Sequence, residues 1–199
     1  MKRVLRSDLA FIADWIKPGS SVLDLGCGDG SLLAYLQEEK ECRCYGVELD
    51  DRNVLASIAN GVEVIQQNLE EGLAMFADRS FDCVLQLESL QMLRHTEGIL
   101  REIGRVGRES IVTFPNFAFW THRVAIARGR MPVTRALPYQ WYDTPNVRFS
   151  TFTDFAALAQ KSGFEIMACM ALHEGRRITW LPNLRGSLAV FRFRKSPSS

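Results

Sequence analysis

The nine residues Val22-Leu-Asp-Leu-Gly-Cys-Gly-Asp-Gly30 constrain the fold of this chain more than any other stretch. Val22, Leu23 and Leu25 suit a strand buried on both faces, as a central strand of a parallel sheet must be. The glycines at 26, 28 and 30 then allow backbone angles closed to other residues and let a ligand come close to the main chain. Ser31 to Gln37 opens a helix whose free amide groups and positive dipole end face this loop. Strand, glycine turn and helix together predict the floor of a pocket for a polar, nucleoside-bearing ligand.

Spacing narrows the class of ligand. The dinucleotide fingerprint needs glycine, one residue, glycine, two residues, then glycine or alanine, whereas here the third glycine arrives one residue early and Asp24 precedes the first. Acidic residue-x-Gly-x-Gly-x-Gly, matched by Asp24, Gly26, Gly28 and Gly30, resembles the first motif of class I S-adenosylmethionine-dependent methyltransferases. In that family the loop carries the methionine part of the ligand, so the resemblance implies S-adenosyl-L-methionine or S-adenosyl-L-homocysteine, with Cys27 in the same loop.

A second strand, Tyr45 to Asp50, carries Glu48 18 residues after Gly30. That spacing suits a carboxylate accepting hydrogen bonds from two ribose hydroxyls. Leu49 stands beside it in the candidate set. Alternatively, Glu48 caps the following helix together with Asp50 and Asp51. The third strand, Val62 to Gln66, leads to Asn68 and Leu69, where the family resemblance implies contacts to the adenine base; Asn68 is equally suited to cap the next helix. The fourth, Phe81 to Leu87, ends in Gln86 and Leu87, the positions that in the family lie beside the transferable methyl group.

Strands alternate with helical stretches along the rest of the chain. Leu5, Leu9, Ile12 and Ile16 recur at helical spacing and stop at Lys17-Pro18-Gly19. Helices are predicted over 51–60, 96–105 and 154–162, and a fifth strand over Glu109 to Phe114. Two closing strands, 164–172 and 186–194, are joined by a connection that lacks the helix signals of a crossover and are expected to pair antiparallel. The fold class that results is α/β, a doubly wound, mostly parallel seven-stranded sheet with an antiparallel last strand. We expect residues 1–199 to form one such domain, ending in the polar tail Lys195 to Ser199.

Charge and cysteine usage leave several classes without support. Net charge is +1, so no overall field draws the chain to nucleic acid or to a membrane. The leading residues Met1 to Asp8 lack the apolar core of a signal peptide, and no run approaches the ~20 apolar residues of a membrane span. A cytoplasmic protein is expected. Cys27, Cys42, Cys44, Cys83 and Cys169 are odd in number and scattered, which argues against a disulfide framework, a zinc site or any bound metal, and for small apolar side chains. No Gly-x-Ser-x-Gly elbow offers an acyltransferase nucleophile. Of His95, His122 and His173, His95 follows the fourth strand and is the best placed as a base, although a surface helix-entry histidine is the commoner case.

Pro115 to Phe149 is a segment that such a fold does not require. It holds four prolines, seven aromatic residues and five arginines against one acid, Asp143. It is too apolar to be disordered by composition, and a connection of this length is usually functional. Tyr139, Trp141 and Tyr142 would close over a substrate, anchor a partner protein, or merely cover the sheet edge.

The glycine run, together with Gly129-Arg-Met-Pro-Val-Thr-Arg-Ala-Leu-Pro-Tyr-Gln-Trp-Tyr-Asp-Thr-Pro145, is similar to the MetW family of bacterial methionine-biosynthesis proteins. That resemblance implies a methyltransferase-like fold acting beside homoserine O-acyltransferase as an accessory or regulatory partner. The alternative is a genuine small-molecule methyltransferase with the aromatic segment as its lid.

Overall fold

The computed structural model describes residues 5–196. Met1 to Val4 of the leading segment and Pro197 to Ser199 of the polar tail lie outside the described residues. A nine-residue helix α1 (Ser7–Trp15) is followed by β1 (Ser21–Leu25), α2 (Ser31–Lys40), β2 (Arg43–Glu48), α3 (Asp51–Ala59) and β3 (Glu63–Gln66). Then come β4 (Phe81–Leu87), α4 (Thr96–Val106), β5 (Gly107–Pro115), α5 (Trp120–Ala127) and α6 (Phe152–Lys161). The chain closes with β6 (Phe164–His173), β7 (Arg176–Ile178), the single turn α7 (Pro182–Arg185) and β8 (Leu188–Lys195).

All eight strands join one sheet in the order β3-β2-β1-β4-β5-β8-β6-β7. The first five pair parallel, and β8 lies antiparallel between β5 and β6. The doubly wound α/β class is therefore as expected, with eight strands where seven were predicted. The additional strand, β7, is three residues turned back on β6 through Glu174 and Gly175, too short to leave a periodic signal.

Strand order reverses between β1 and β4, because the chain builds β1, β2 and β3 in one direction and then returns to the other side of β1. In open parallel sheets such a switch point leaves a crevice at the carboxyl ends of the strands. Helices α1 and α2 cover one face through Ile12, Leu32, Leu33 and Leu36, which pack with Val22, Leu85 and Ile111. Helices α4 and α6 cover the other through Ile99, Ile103, Phe155 and Ala159, against Leu23, Val84 and Val112. The alternation of the strands delivers one residue to each layer in turn.

Aromatic rings concentrate in the second layer, where Phe191 meets Phe114, Phe152 and Phe155 with centroids 6.0, 4.6 and 4.8 Å apart. Space is tight at its edge. A Cβ on Gly104 of α4 would lie 2.3 Å from the buried Phe164 ring. Ala at 104 would add up to ~1 kcal/mol of helix propensity, but overpacking costs typically ~1–3 kcal/mol, so the steric effect wins. We expect Gly104→Ala to lower the thermal midpoint by about 2–6 °C in a chain of this size. A midpoint that rises would mean Phe164 yields freely.

No helix among the described residues is long and apolar enough to cross a membrane. The five cysteines are free; Cys42, Cys44 and Cys83 are buried and Cys27 is half-buried, whereas Cys169 is exposed rather than covered. No group of three His, Cys, Asp or Glu side chains among the described residues is arranged to hold a metal ion.

Candidate functional site

The glycine run forms the turn between β1 and α2, at the switch point. Gly28 has φ +59° and nothing within 4 Å of where a Cβ would stand, so the main chain is open at this position. Gly30, at φ +71° the residue before α2, is closed: a Cβ there would lie 2.8 Å from the Ser57 hydroxyl oxygen. Ser57 is fully buried and donates to the Gly28 carbonyl at 2.9 Å, clamping the loop from α3.

Glu48 binds this loop directly. Its Oε2 accepts from the Gly28 N–H at 2.9 Å, and its Oε1 accepts from the N–H groups of Leu49 and Asp50 at 2.8 and 3.0 Å. The carboxylate thereby ties the end of β2 to the glycine turn. The capping role falls to Asp50, whose side chain accepts from the Arg52 and Asn53 amides. Leu49 itself is exposed.

A cleft of about 580 Å³ opens beside the loop, lined by Asp24, Gly26, Cys27, Gly28 and Ser31, by Leu87, Glu88 and Thr113 from the neighbouring strands, and by α1. Arg6 crosses its mouth, paired with Asp8 at 2.9 Å and Glu88 at 3.1 Å. Glu88 sits at φ +52°, a left-handed conformation that costs a non-glycine residue of order 1 kcal/mol and clusters at functional sites. Arg6 and Glu88 were outside the sequence reading; only their meeting across 82 residues marks them.

Asp24 is the chemically distinctive group. It is 3% exposed, and its Oδ1 has no hydrogen-bond partner among the described residues. Burial, with the Glu48 carboxylate adding to it, pushes its pKa from 3.8 up to about 7. Because the folded value lies above the unfolded one, stability from the protonated form is full below about pH 4 and declines as pH rises toward 7. A cationic ligand at this carboxylate favours its ionised form and releases a proton on binding. Affinity for such a ligand is therefore expected to rise between pH 6 and 8, by several-fold, and Asp24→Asn to flatten that rise; calorimetry in buffers of different ionisation enthalpy reads both.

The structure brings Asp24, Gly26, Cys27, Gly28 and Leu87 onto one cleft, with Gly30 and Glu48 shaping its loop. The remaining candidates stand elsewhere. Asn68 caps a 3-10 turn, Leu69–Glu71, by accepting from the Glu70 N–H at 3.0 Å, and Leu69 packs against the aromatic layer. Gln86 is wholly buried, on the opposite face of β4 from Leu87, with both amide atoms unpartnered. His95 is exposed at the start of α4 and does not line the cleft. His122 is buried, with Nε2 2.9 Å from the Thr134 hydroxyl, and burial lowers its pKa. His173 Nδ1 lies 3.1 Å from the Ser187 hydroxyl.

Segment 115–149 begins with α5, a helix that the sequence reading did not anticipate, and then runs without regular structure. His122 and the Thr134–Leu137 bridge hold it together. Trp141 and Tyr142 are 70% and 71% exposed, ring edge to ring face at 5.7 Å, and with Tyr139 they stay off the lining of the glycine-loop cleft.

Comparison with known proteins fits this geometry. The family "Methionine biosynthesis protein MetW" matches residues 6–193. A Rhodopirellula baltica protein named bifunctional methionine biosynthesis protein MetXA/MetW is 36% identical over 205 residues, 96% of this chain but 33% of that protein. The chain thus spans about a third of that relative's length. The ubiquinone/menaquinone biosynthesis C-methyltransferase UbiE of Brucella abortus (strain S19) is 24% identical over 89% of this chain and 77% of that protein. Among solved structures, an S-adenosylmethionine-dependent methyltransferase from Mesorhizobium loti superposes with TM-score 0.72 at 17% identity, covering 95% of this chain and 98% of that one. A Thermotoga maritima methyltransferase, possibly a histamine N-methyltransferase, gives 0.67 at 20%, covering 96% and 91%. These likenesses show the class I methyltransferase-like α/β fold, and the match over residues 6–193 shows that the chain belongs to the MetW family of methionine-biosynthesis proteins.

Proposed function

We propose that this chain binds S-adenosyl-L-methionine, or its product S-adenosyl-L-homocysteine, in the glycine-loop cleft and acts in the cytoplasm as an accessory or regulatory partner of homoserine O-acyltransferase. The observation that carries the binding half is the Asp24 carboxylate, buried, unpartnered at Oδ1 and on the lining of the cleft. An isolated buried carboxylate is costly, and a cationic ligand offsets that cost. Gly28 leaves the main chain open to such a ligand, Glu48 is the candidate for the ribose hydroxyls, Leu87 is the candidate beside the methyl group, and Leu49, Asn68 and Leu69 remain candidates around the nucleoside, whereas the burial of Gln86 on the other face of β4 takes it out of the set. When bound, the ligand supplies an electrophilic sulfonium methyl; this chain's residues bind and orient it.

What supports the partner half is the name of the relative that joins MetXA to MetW in one chain, and the exposed aromatic and arginine side chains of 115–149, the composition of an interface centre. We treat residues 1–199 as one methyltransferase-like domain with 115–149 as its partner-facing insertion; nucleic acid, membrane and metal have no part in it. The ligand is a downstream product of methionine synthesis, which suits a sensor whose occupancy shifts the complex between states.

Calorimetry with S-adenosylmethionine, followed by incubation of labelled ligand with a broad metabolite pool, tests the reading. Saturable binding without methyl transfer is the expected result. Rapid transfer to a small-molecule acceptor would replace it with the methyltransferase reading, and absence of any binding heat would remove the ligand.

A further inference from the structure

A second cavity, of about 830 Å³, opens between α4 and α6 on the other face of the sheet. Thr113 lines the glycine-loop cleft while Phe114, the next residue of β5, lines this cavity, and successive strand residues face opposite sides. Its volume falls in the range of small-molecule sites, about 300–1,000 Å³.

The floor is apolar, formed by Leu90, Phe114, Phe155 and Leu158. The rim is cationic. Arg94, Arg101 and Arg148 stand around it, and neither the Arg94 nor the Arg101 guanidinium has an ion pair or hydrogen bond among the described residues. Arg148 donates to the Arg94 backbone carbonyl at 2.8 Å, which holds its guanidinium beside the turn that carries Arg94. Two acids share the rim, Glu97 and Asp154, and Asp154 already accepts from the Thr151 hydroxyl at 2.7 Å.

Two further features call for a ligand acceptor group. Helix α4 begins with no side-chain cap, so its first amides lack a side-chain acceptor at the cavity, and Glu97 in its first turn answers only part of the dipole. The Thr96 hydroxyl on the lining has no hydrogen-bond partner among the described residues and can donate to an acceptor, whereas Gln91, only 8% exposed, spends its Nε2 on the Glu88 carbonyl and leaves Oε1 in need of a donor. Buried polar groups in native proteins are nearly always satisfied.

We propose that this cavity binds a small amphipathic anion, a carboxylate or phosphate head on an apolar body. The head meets Arg94, Arg101 and the α4 amides, and the body lies over Phe114, Phe155 and Leu158. This inference stands apart from the reading of the glycine loop.

Calorimetry on the full chain with octanoate, octyl phosphate and octanol tests it. The expected result is saturable binding of octanoate or octyl phosphate, with octanol at least ~10-fold weaker, since charge-assisted hydrogen bonds are roughly twice as strong as neutral ones. Whichever anion binds tighter identifies the head group. The exposed pair Arg94→Ser and Arg101→Ser should together reduce anion affinity ~10-fold or more with an unchanged thermal midpoint. Gly28→Asp should leave anion binding as it is. Failure of both anions to bind, undiminished binding to the double variant, or loss in Gly28→Asp would each overturn the proposal.

Discussion

Gly28→Asp is expected to weaken S-adenosylmethionine binding by more than ~100-fold, a change of about 2.7 kcal/mol, while the chain stays folded. A side chain at 28 meets no protein atom within 4 Å, so it extends into the open space through which a ligand would reach the loop. Its charge would also sit among Asp24 and Glu48, already held close to the same turn. The left-handed φ of +59° costs a side chain ~1–2 kcal/mol, and aspartate is among the residues that tolerate it best. Gly30→Ala provides the contrast, because its Cβ would strike Ser57 and the α3 backbone and lower the thermal midpoint outright. Calorimetry beside a melting curve separates the two outcomes. An unchanged Kd in Gly28→Asp would show that the ligand does not approach this loop.

The second large effect is expected at the aromatic segment. Replacing Trp141 and Tyr142 together by alanine should weaken binding to homoserine O-acyltransferase by about 2–4 kcal/mol, roughly 30- to 1,000-fold, if they are the interface anchors. Both rings are about 70% exposed and contact each other edge to face, so their removal should leave the melting curve within the range of ordinary surface substitutions, about 0.5 kcal/mol. Surface plasmon resonance with the acyltransferase immobilised reads the affinity. An unaltered Kd would dissociate this segment from the partnership.

The parts of this account legible in the sequence were those in which local chemistry and global position coincide. Val22 to Gly30 combines a strand buried on both faces with a turn whose three glycines all have positive φ, and both properties are written in contiguous residues. Glu48 was legible as a ligand candidate; that it also holds the Gly28 amide needs two strands in register, with Asp24 opposite Gly46. The orphaned Oδ1 of Asp24 and the raised pKa that follows from burial are equally properties of the packed sheet.

Helix α5 has no sequence signature, because Trp120 and Ile126 are exposed and only His122 is buried, so no apolar stripe marks it. Strand β7 is three residues long, below the length at which alternation reads as a pattern. Arg94, Arg101 and Arg148 gave no motif, being gathered from the turn after β4, from α4 and from the end of the insertion. Asn68 was divided between capping and base recognition. Its side-chain oxygen caps the 3-10 turn, as its residue type favours.

The most direct test of the central claim is a reconstitution. Homoserine O-acyltransferase activity is measured as this chain is titrated in, first alone and then with S-adenosylmethionine at saturation. Our account predicts that activity changes up to a stoichiometric end point, that the ligand shifts the plateau, and that Gly28→Asp removes the ligand's effect without removing the chain's. Acyltransferase activity that is indifferent to the chain at every ratio, with ligand and without, would contradict it.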